Sequence, residues 1–190
     1  MISLKERINN EGIVLNNSIL KVDAFLNQQI DPDLLMEIGR EFYLRFQGKK
    51  IDRILTVEAS GISVALTTGL LMHVPVVFGR KQRSVLINEE SYQTKVFSFT
   101  KKKTSTVVVL KKFLPPGENV LILDDFLAMG EASMGLADLV HQAGSEVVGI
   151  GIVIEKSFQT GRQRLVDAGY QVESLARIKK FENNKVIFED

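Results

Sequence analysis

Apolar residues recur in two different rhythms along this chain. After Asp31 and Pro32, which are typical of an N-cap and a first helical turn, apolar residues return every three or four positions. They are Leu35, Ile38, Phe42 and Phe46, and Gly48 follows as a predicted helix stop. By contrast, the runs "RILTV", "VPVVF", "NVLIL" and "EVVGIGIVI" are almost continuously apolar. Such runs are typical of strands that are buried on both faces.

Helical patterns separate these apolar runs. A helix is predicted after "RILTVEASG", and its apolar face should hold Ile62, Ala65, Leu66, Gly69 and Leu70. A second helix is predicted after "NVLILD", and its apolar face should hold Ala132, Leu136, Leu139, Val140 and Ala143. Shorter helices are predicted at "SLKERI" and "GRQRLVDAG". Buried strands that alternate with helices predict an α/β fold with a mostly parallel central sheet flanked by helices.

Three segments depart from this alternation. "GIVLNNSILKV" has two short apolar runs around Asn16-Asn17, which predicts a hairpin. The region 82–116 is rich in β-formers and predicts two antiparallel strands joined by the basic loop "KKKTST". "YQVESLARI" and "KVIFED" are predicted to be edge segments.

Composition narrows the class of protein. The chain has 190 residues, 45% of them hydrophobic, which suits one compact domain. The formal net charge of +1 gives no reason to expect binding to nucleic acid or to a membrane surface. The absence of cysteine excludes disulfides and thiolate metal sites. With no signal-peptide pattern at residues 1–12 and only strand-length apolar runs, we expect a soluble cytoplasmic protein.

Charged residues stand at the ends of the predicted strands. Glu58, Arg80, Asp124 and Lys156 each follow an apolar run. In open parallel sheets ligands bind at the carboxyl ends of the strands, so we expect these side chains to line a ligand site.

The loop "DDFLAMGEAS" is the most informative of these strand ends. A helix predicted to begin near Gly130 offers free backbone N–H groups, and the small Ala128 and Ala132 leave room for an anion. The adjacent Asp124 and Asp125 repel phosphate but accept hydrogen bonds from sugar hydroxyls or hold Mg²⁺ through water. The combination predicts a ribose 5-phosphate site. Receiver domains and Walker-B strands also end in paired acids, although the chain has no Walker A sequence.

The segment "VLILDDFLAMGEA" resembles the phosphoribosyl-diphosphate motif of the type I phosphoribosyltransferases. The segments "GIVLNNSILKVDAFLNQQIDP", "VEASGI", "VPVVFGRK", "FSFTK" and "GIGIVIEKSFQ" extend the resemblance to the bacterial xanthine phosphoribosyltransferases along almost the whole chain. Position 129 departs from that family, which usually carries Asn there, so a side-chain donor to the 5-phosphate is missing. Position 128 is Ala, where hypoxanthine-guanine enzymes carry an Asp near N7 of the base.

The resemblance implies a type I phosphoribosyltransferase fold in a single domain, 1–190. It implies a hood over the base from about residues 1–30 with C-terminal segments, and a homodimer. It also implies a flexible lid over the diphosphate, here with Lys101 to Lys103. A solvated basic loop is the alternative for that lysine run.

The resemblance assigns the ligand contacts as follows. The sugar diphosphate would be bound by Ala128, Met129, Gly130, Glu131 and Ala132 at the phosphate, and by Ala59, Ser60, Arg80 and Lys81 at the diphosphate. An ordinary turn capped by Ser60, and solvated cations at Arg80 and Lys81, are the alternatives. Mg²⁺ would be held mainly by substrate and water rather than directly by protein ligands.

The same resemblance assigns the base. Lys156 would bind the 6-oxo edge, while Leu20 and Asn27 would contact xanthine. Phe158 either stacks on the base or packs in the core, and Leu20 is also explained as a hairpin core residue. The expected reaction transfers the 5-phosphoribosyl group to N9 of xanthine, with Asp124 and Asp125 as catalytic residues. Guanine or hypoxanthine as substrate, or a non-catalytic sensor of the sugar diphosphate, are the alternatives.

Overall fold

The computed structural model describes residues 1–82, 90–98 and 103–189. Its helices are α1 Ile2–Glu11, α2 Pro32–Arg45, α3 Gly61–Met72, α4 Glu131–Gln142 and α5 Gly161–Asp167, with a π-helical turn at Asp23–Asn27 and a 3₁₀ turn at Lys111–Phe113. Its strands are β1 Ile13–Leu15, β2 Ile19–Lys21, β3 Arg53–Val57, β4 Val76–Gln82, β5 Ser91–Ser98, β6 Lys103–Leu110, β7 Asn119–Leu127, β8 Glu146–Lys156, β9 Val172–Glu182 and β10 Lys185–Phe188.

One large sheet forms the centre of the molecule. Its eight strands run in the order β10-β9-β8-β7-β3-β4-β6-β5. The five inner strands from β9 to β4 pair in parallel, while β10, β6 and β5 pair antiparallel. The predicted α/β architecture is therefore confirmed, as are the hairpin β1–β2 around Asn16-Asn17 and the antiparallel pair β5–β6. The predicted loop "KKKTST" extends too far, because its residues from Lys103 onwards pair with β5 as part of β6.

Helix α2 begins as its sequence predicts. The carboxylate of Asp31 accepts hydrogen bonds from the N–H groups of Asp33 and Leu34, each at 3.1 Å, and Pro32 is the first helical residue. The helix ends at Arg45, earlier than the predicted stop at Gly48. Its apolar face packs into a core that also contains α1, the hairpin and one face of the sheet.

The predicted apolar face of α3 is partly wrong. Ala65 and Gly69 are buried, but Leu66 and Leu70 are 52% and 59% exposed. Small residues allow the close approach here: a Cβ on Gly69 would stand 2.6 Å from the Val76 side chain. Because α3 is apolar almost all round, the spacing of its leucines does not reveal which side meets the sheet.

The prediction that β9 lies at the sheet edge is also wrong. Strand β9 pairs with β8 on one side and β10 on the other, so β10 is the edge strand. The first half of β9 contains the buried Leu175 and Ala176, whereas Lys179 and Lys180 in its second half are exposed. This change from buried to exposed residues within one strand weakens the sequence signal for an inner strand.

Candidate active site

The charged strand ends meet at one edge of the sheet. Strands β8, β7, β3 and β4 are neighbours and run parallel, so their carboxyl ends point the same way. Lys156, Asp124, Glu58 and Arg80 lie at or near these ends in that order across the sheet. The predicted gathering of these residues at one sheet edge is confirmed.

The two adjacent aspartates are held in place by the chain itself. Asp124 is buried, and its Oδ1 accepts the N–H of Asp125 at 3.0 Å. Asp125 in turn accepts the N–H of Phe126 at 3.0 Å. Burial, followed by the charge of Asp125, raises the pKa of Asp124 well above its ordinary value. Burial also raises the pKa of Asp125, although hydrogen bonds from neighbouring groups oppose the rise.

The loop after the aspartates forms a cradle at the start of α4. Strand β7 continues beyond Asp124 to Leu127, and Gly130 then turns the chain with a left-handed φ of 83°. Within the described residues no side chain caps this helix, so its first N–H groups are available to a ligand. Ala128, Met129, Gly130, Glu131 and Ala132 line a cavity of about 240 Å³ that extends towards β5 and β6.

A second loop lies beside the aspartates. The peptide bond between Glu58 and Ala59 is cis, and Ser60 follows it immediately before α3. The Ser60 side chain lowers the pKa of the nearby Asp125 carboxyl group, against the effect of burial. The Glu58 carboxylate accepts the backbone N–H of Lys81 at 2.6 Å. The Glu58 side chain therefore joins the ends of β3 and β4.

Arg80 and Lys81, the two cations near the end of β4, lie in different surroundings. Lys81 lines the cavity next to the cradle, and its positive charge opposes the raised pKa of Asp124. The Arg80 guanidinium lies over the Phe78 ring, 5.7 Å from its centroid. Among the described residues, the lining of this cavity includes Lys81 but not Arg80.

Lys156 contacts two separate segments at the other end of the site. Its Nζ donates to the carbonyl oxygen of Ser18 in the β1–β2 turn at 2.9 Å. The same Nζ lies 5.7 Å from the Phe181 ring centroid. Phe158 is 46% exposed and meets Phe181 edge-on at 5.6 Å between ring centroids. Burial lowers the pKa of Lys156.

The two predicted hood residues differ in exposure. Leu20 is 6% exposed and belongs to the core cluster, as its alternative explanation expects. Asn27 is exposed at the end of the π-helical turn.

Of the predicted lid lysines, Lys101 and Lys102 lie outside the described residues, and Lys103 is the first residue of strand β6.

Sequence reasoning missed several residues around these loops. Phe181 lies between the two segments that the sequence predicts to be edges and is assigned to no site there. Arg164 donates to the carbonyl oxygen of Met129 at 2.6 Å, although nothing in its local pattern indicates this contact. Glu155 is buried next to Lys156, and both of its carboxylate oxygens accept hydrogen bonds from the Nε of Arg162 at 2.9 Å. Burial would raise the pKa of Glu155, but hydrogen bonding to Ser174 and the charge of Arg162 lower it overall.

Comparison with known proteins assigns this arrangement to a family. The phosphoribosyl transferase domain model matches residues 27–184. The chain belongs to the phosphoribosyltransferase family. Three curated bacterial relatives named xanthine phosphoribosyltransferase show how far the likeness extends. The Acinetobacter baylyi relative is 52% identical over 99% of this chain and 98% of its own length. The Ectopseudomonas mendocina relative is 53% identical over the full length of both chains, and a Clostridium perfringens relative is 56% identical over 99% of this chain and 100% of its own.

Solved structures in this family share the fold. The adenine phosphoribosyltransferase of Thermoanaerobacter pseudethanolicus superposes with a TM-score of 0.76 at 23% identity, over 91% of this chain and 99% of that one. The Saccharomyces cerevisiae adenine phosphoribosyltransferase gives a TM-score of 0.75 at 24% identity, over 92% and 99%. The predicted type I phosphoribosyltransferase fold is confirmed. No helix in the described part of the chain is long and apolar enough to cross a membrane.

Proposed function

We propose that this protein transfers the 5-phosphoribosyl group of 5-phosphoribosyl 1-diphosphate to N9 of xanthine. The products are xanthosine 5′-monophosphate and diphosphate, which makes the reaction a step of purine salvage. The observation that carries the proposal is the placement of Asp124 and Asp125 directly before the cradle, with Lys156 at the end of the neighbouring strand. Membership of the phosphoribosyltransferase family and full-length relatives named for xanthine support it.

The sugar diphosphate fits across three loops. The backbone N–H groups of residues 128–132 would bind the 5-phosphate at the start of α4, where the helix dipole favours an anion. The loop of Ala59 and Ser60 would bind the diphosphate through its backbone. Lys81 would contribute a charge from the cavity wall, and Arg80 would reach the diphosphate only by leaving the Phe78 ring.

The two aspartates suit both a diol and a cation. Hydroxyl groups of the ribose would donate to Asp124 and Asp125, whose charges stabilise the positive ribosyl group as its bond to diphosphate lengthens. The residues also fit Mg²⁺, because burial raises both pKa values and the charge of Asp125 raises that of Asp124 further, so that an added positive charge is favoured. When bound with the substrate, Mg²⁺ would neutralise charge on the diphosphate. In the described part of the chain no cluster of three or more acidic or histidine side chains is suited to bind a metal unaided, so substrate and water would complete its ligands.

The base would lie between the end of β8 and the hood. The Lys156 ammonium is a donor, which suits a 6-oxo group and disfavours the amino group of adenine. Phe158, with its ring partly exposed, would stack on the base, and Asn27 and Leu20 would contact xanthine from the hood. We propose that residues 1–30 and the β9–β10 hairpin form this hood, since the hairpin tips are hydrogen-bonded at 2.8 Å between the Asn184 N–H and the Asn17 side chain.

Three further properties remain part of the proposal. The segment around Lys101 to Lys103 would act as a lid that excludes water, which would otherwise hydrolyse the sugar diphosphate. The protein would be a homodimer in the cytoplasm. Sedimentation velocity of the purified protein tests the dimer directly.

A substrate panel tests the proposed function. Xanthine, guanine and hypoxanthine are each assayed spectrophotometrically with the sugar diphosphate and Mg²⁺, and we expect the highest kcat/KM with xanthine. Preference for guanine or hypoxanthine would reassign the base. Binding of the sugar diphosphate without turnover of any base would instead indicate a sensor.

The Lys156→Gln variant tests the base contact. Loss of a hydrogen bond from a charged group is worth about 1.5–3 kcal/mol, so KM for xanthine should rise by roughly 10- to 100-fold. The exposed Lys180, which pairs with Glu182, provides the control variant Lys180→Gln. An unchanged KM in Lys156→Gln would remove Lys156 from the base site.

A further inference from the structure

Arg164 reaches from α5 to the phosphate cradle. One of its guanidinium nitrogens, Nη1, donates to the carbonyl oxygen of Met129 at 2.6 Å and to the Glu131 carboxylate at 2.5 Å. Both partners belong to the loop that would bind the 5-phosphate, and both present negative charge or a negative dipole. A single cation therefore holds two acceptors of the cradle loop.

Glu131 creates an electrostatic problem in this loop. It is the first residue of α4, where a carboxylate is itself attracted to the free N–H groups and to the positive end of the helix dipole. An untethered Glu131 would compete with phosphate for the same donors and would repel it. Pairing with Arg164 removes the carboxylate from that competition and cancels its charge.

The helix that carries Arg164 is fixed against the cradle at its first residue. The N–H of Gly161 donates to the Ala128 carbonyl at 3.0 Å. A Cβ on Gly161 would stand 2.9 Å from the Gly130 nitrogen, so the two loops are in direct contact. Arg162, bound to the buried Glu155, attaches the same turn to β8. Arg164 therefore approaches Glu131 from a rigid support.

We propose that Arg164 is a positioning residue for the 5-phosphate, which acts by neutralising Glu131 and holding it clear of the cradle N–H groups. This inference rests on the proposed function, because it concerns the same phosphate site. It assigns Arg164 no contact with the base or with the diphosphate. Its effect should therefore appear in binding of the phosphorylated sugar.

Calorimetric titration with ribose 5-phosphate separates charge neutralisation from a purely structural role. We expect Arg164→Ala to raise the Kd by about tenfold, and Arg164→Lys, which keeps the charge, to raise it by less than about threefold. The double variant Arg164→Ala with Glu131→Gln should recover most of the lost affinity, because the competing charge is gone. The exposed Arg40 on α2 supplies the control variant Arg40→Ala.

Other results of this titration would contradict either the phosphate site or the role of Arg164. Failure of the unaltered protein to bind ribose 5-phosphate would overturn the proposed phosphate site. Tight binding by the unaltered protein together with equal binding by Arg164→Ala would overturn only the role of Arg164. Weak binding by both Arg164→Ala and the double variant would show that Arg164 acts on loop structure rather than through the charge of Glu131, and would likewise overturn the proposal.

Discussion

The proposed phosphate end and the proposed base end of the candidate site are built in opposite ways. At the phosphate end, one contiguous stretch from Asp124 to Ala132 supplies the carboxylates, the turn and the helix start. At the base end, Lys156 is surrounded by the Ser18 carbonyl and the Phe181 ring, which come from opposite ends of the chain. The first is a local main-chain structure, and the second depends on tertiary contacts between side chains and distant turns.

This difference has consequences for substitution. A main-chain cradle depends on backbone position, so we expect it to tolerate changes such as the Met at position 129 as long as Gly130 keeps its left-handed turn. The Met129 sulfur lies 3.9 Å from the Thr160 hydroxyl, a contact with the β8–α5 loop. The base end depends on which side chains converge there, so single side-chain changes should alter base binding more than sugar binding.

The largest expected effect comes from the carboxylates between the two ends. Asp124→Asn should lower kcat by about 10²–10³-fold, because it removes charge that stabilises the positive ribosyl group. Steady-state kinetics with xanthine would measure this loss. Asp167→Asn, at an exposed carboxylate on α5, is the control and should retain full activity. Loss of less than threefold in Asp124→Asn would contradict the assigned role.

The same variant has a predictable effect on stability. Because the pKa of Asp124 is higher in the folded protein than its ordinary value of 3.8, the folded state binds more protons above that pH. This carboxyl group therefore contributes most stability below its unfolded pKa and loses the contribution as the pH rises through the folded pKa. Asp124→Asn should be more stable than the parent at neutral pH, with a flatter dependence of the free energy of unfolding on pH. Urea denaturation from pH 4 to 8 measures both.

An intermediate effect is expected where the start of α5 touches the cradle. In Gly161→Ala the new methyl group would stand 2.4 Å from the Ala128 carbonyl oxygen and 2.9 Å from the Gly130 nitrogen, so the cradle must move. Displacement of a binding loop by about 1 Å can cost roughly 10²-fold, and we expect a 10- to 100-fold higher Kd for ribose 5-phosphate. Gly149→Ala is the matched control, since its methyl group would strike the Phe46 ring at 2.4 Å instead. It should lower stability without changing this Kd, and an equal effect of both variants would refute a direct coupling.

The sequence predicted the features that depend on local patterns better than those that depend on tertiary contacts. The helix N-cap at Asp31, the buried strands β3, β4, β7 and β8 and the helix start near Gly130 follow from local patterns, and the structure confirms them. The exposed leucines of α3 and the inner position of β9 depend on which faces pack together. Residues distant in sequence determine which faces pack, so periodicity alone could not predict the exposed leucines or the inner strand.

One missed element did carry a local signal. Asn183 and Asn184 both have positive φ and turn the β9–β10 hairpin, as Asn16 and Asn17 do in β1–β2. Asparagine is among the residues that most readily adopt this conformation, so the second pair could have predicted the second hairpin. The contact of Phe181 with Lys156 had no such signal, because it exists only once both hairpins are placed.

The smallest expected effect tests the base end alone. Phe181→Leu removes the ring that faces the Lys156 ammonium at 5.7 Å, a type of contact worth about 0.5–1 kcal/mol at partly exposed sites. We expect a two- to fivefold rise in KM for xanthine and no change in KM for the sugar diphosphate. Phe188→Leu removes a similar ring from the same hairpin, 5.3 Å from the Nζ of Lys5 in α1, and should change neither KM. Equal changes in both KM values of Phe181→Leu would mean that the base end is not independent of the cradle, and the contrast between the two ends would fail.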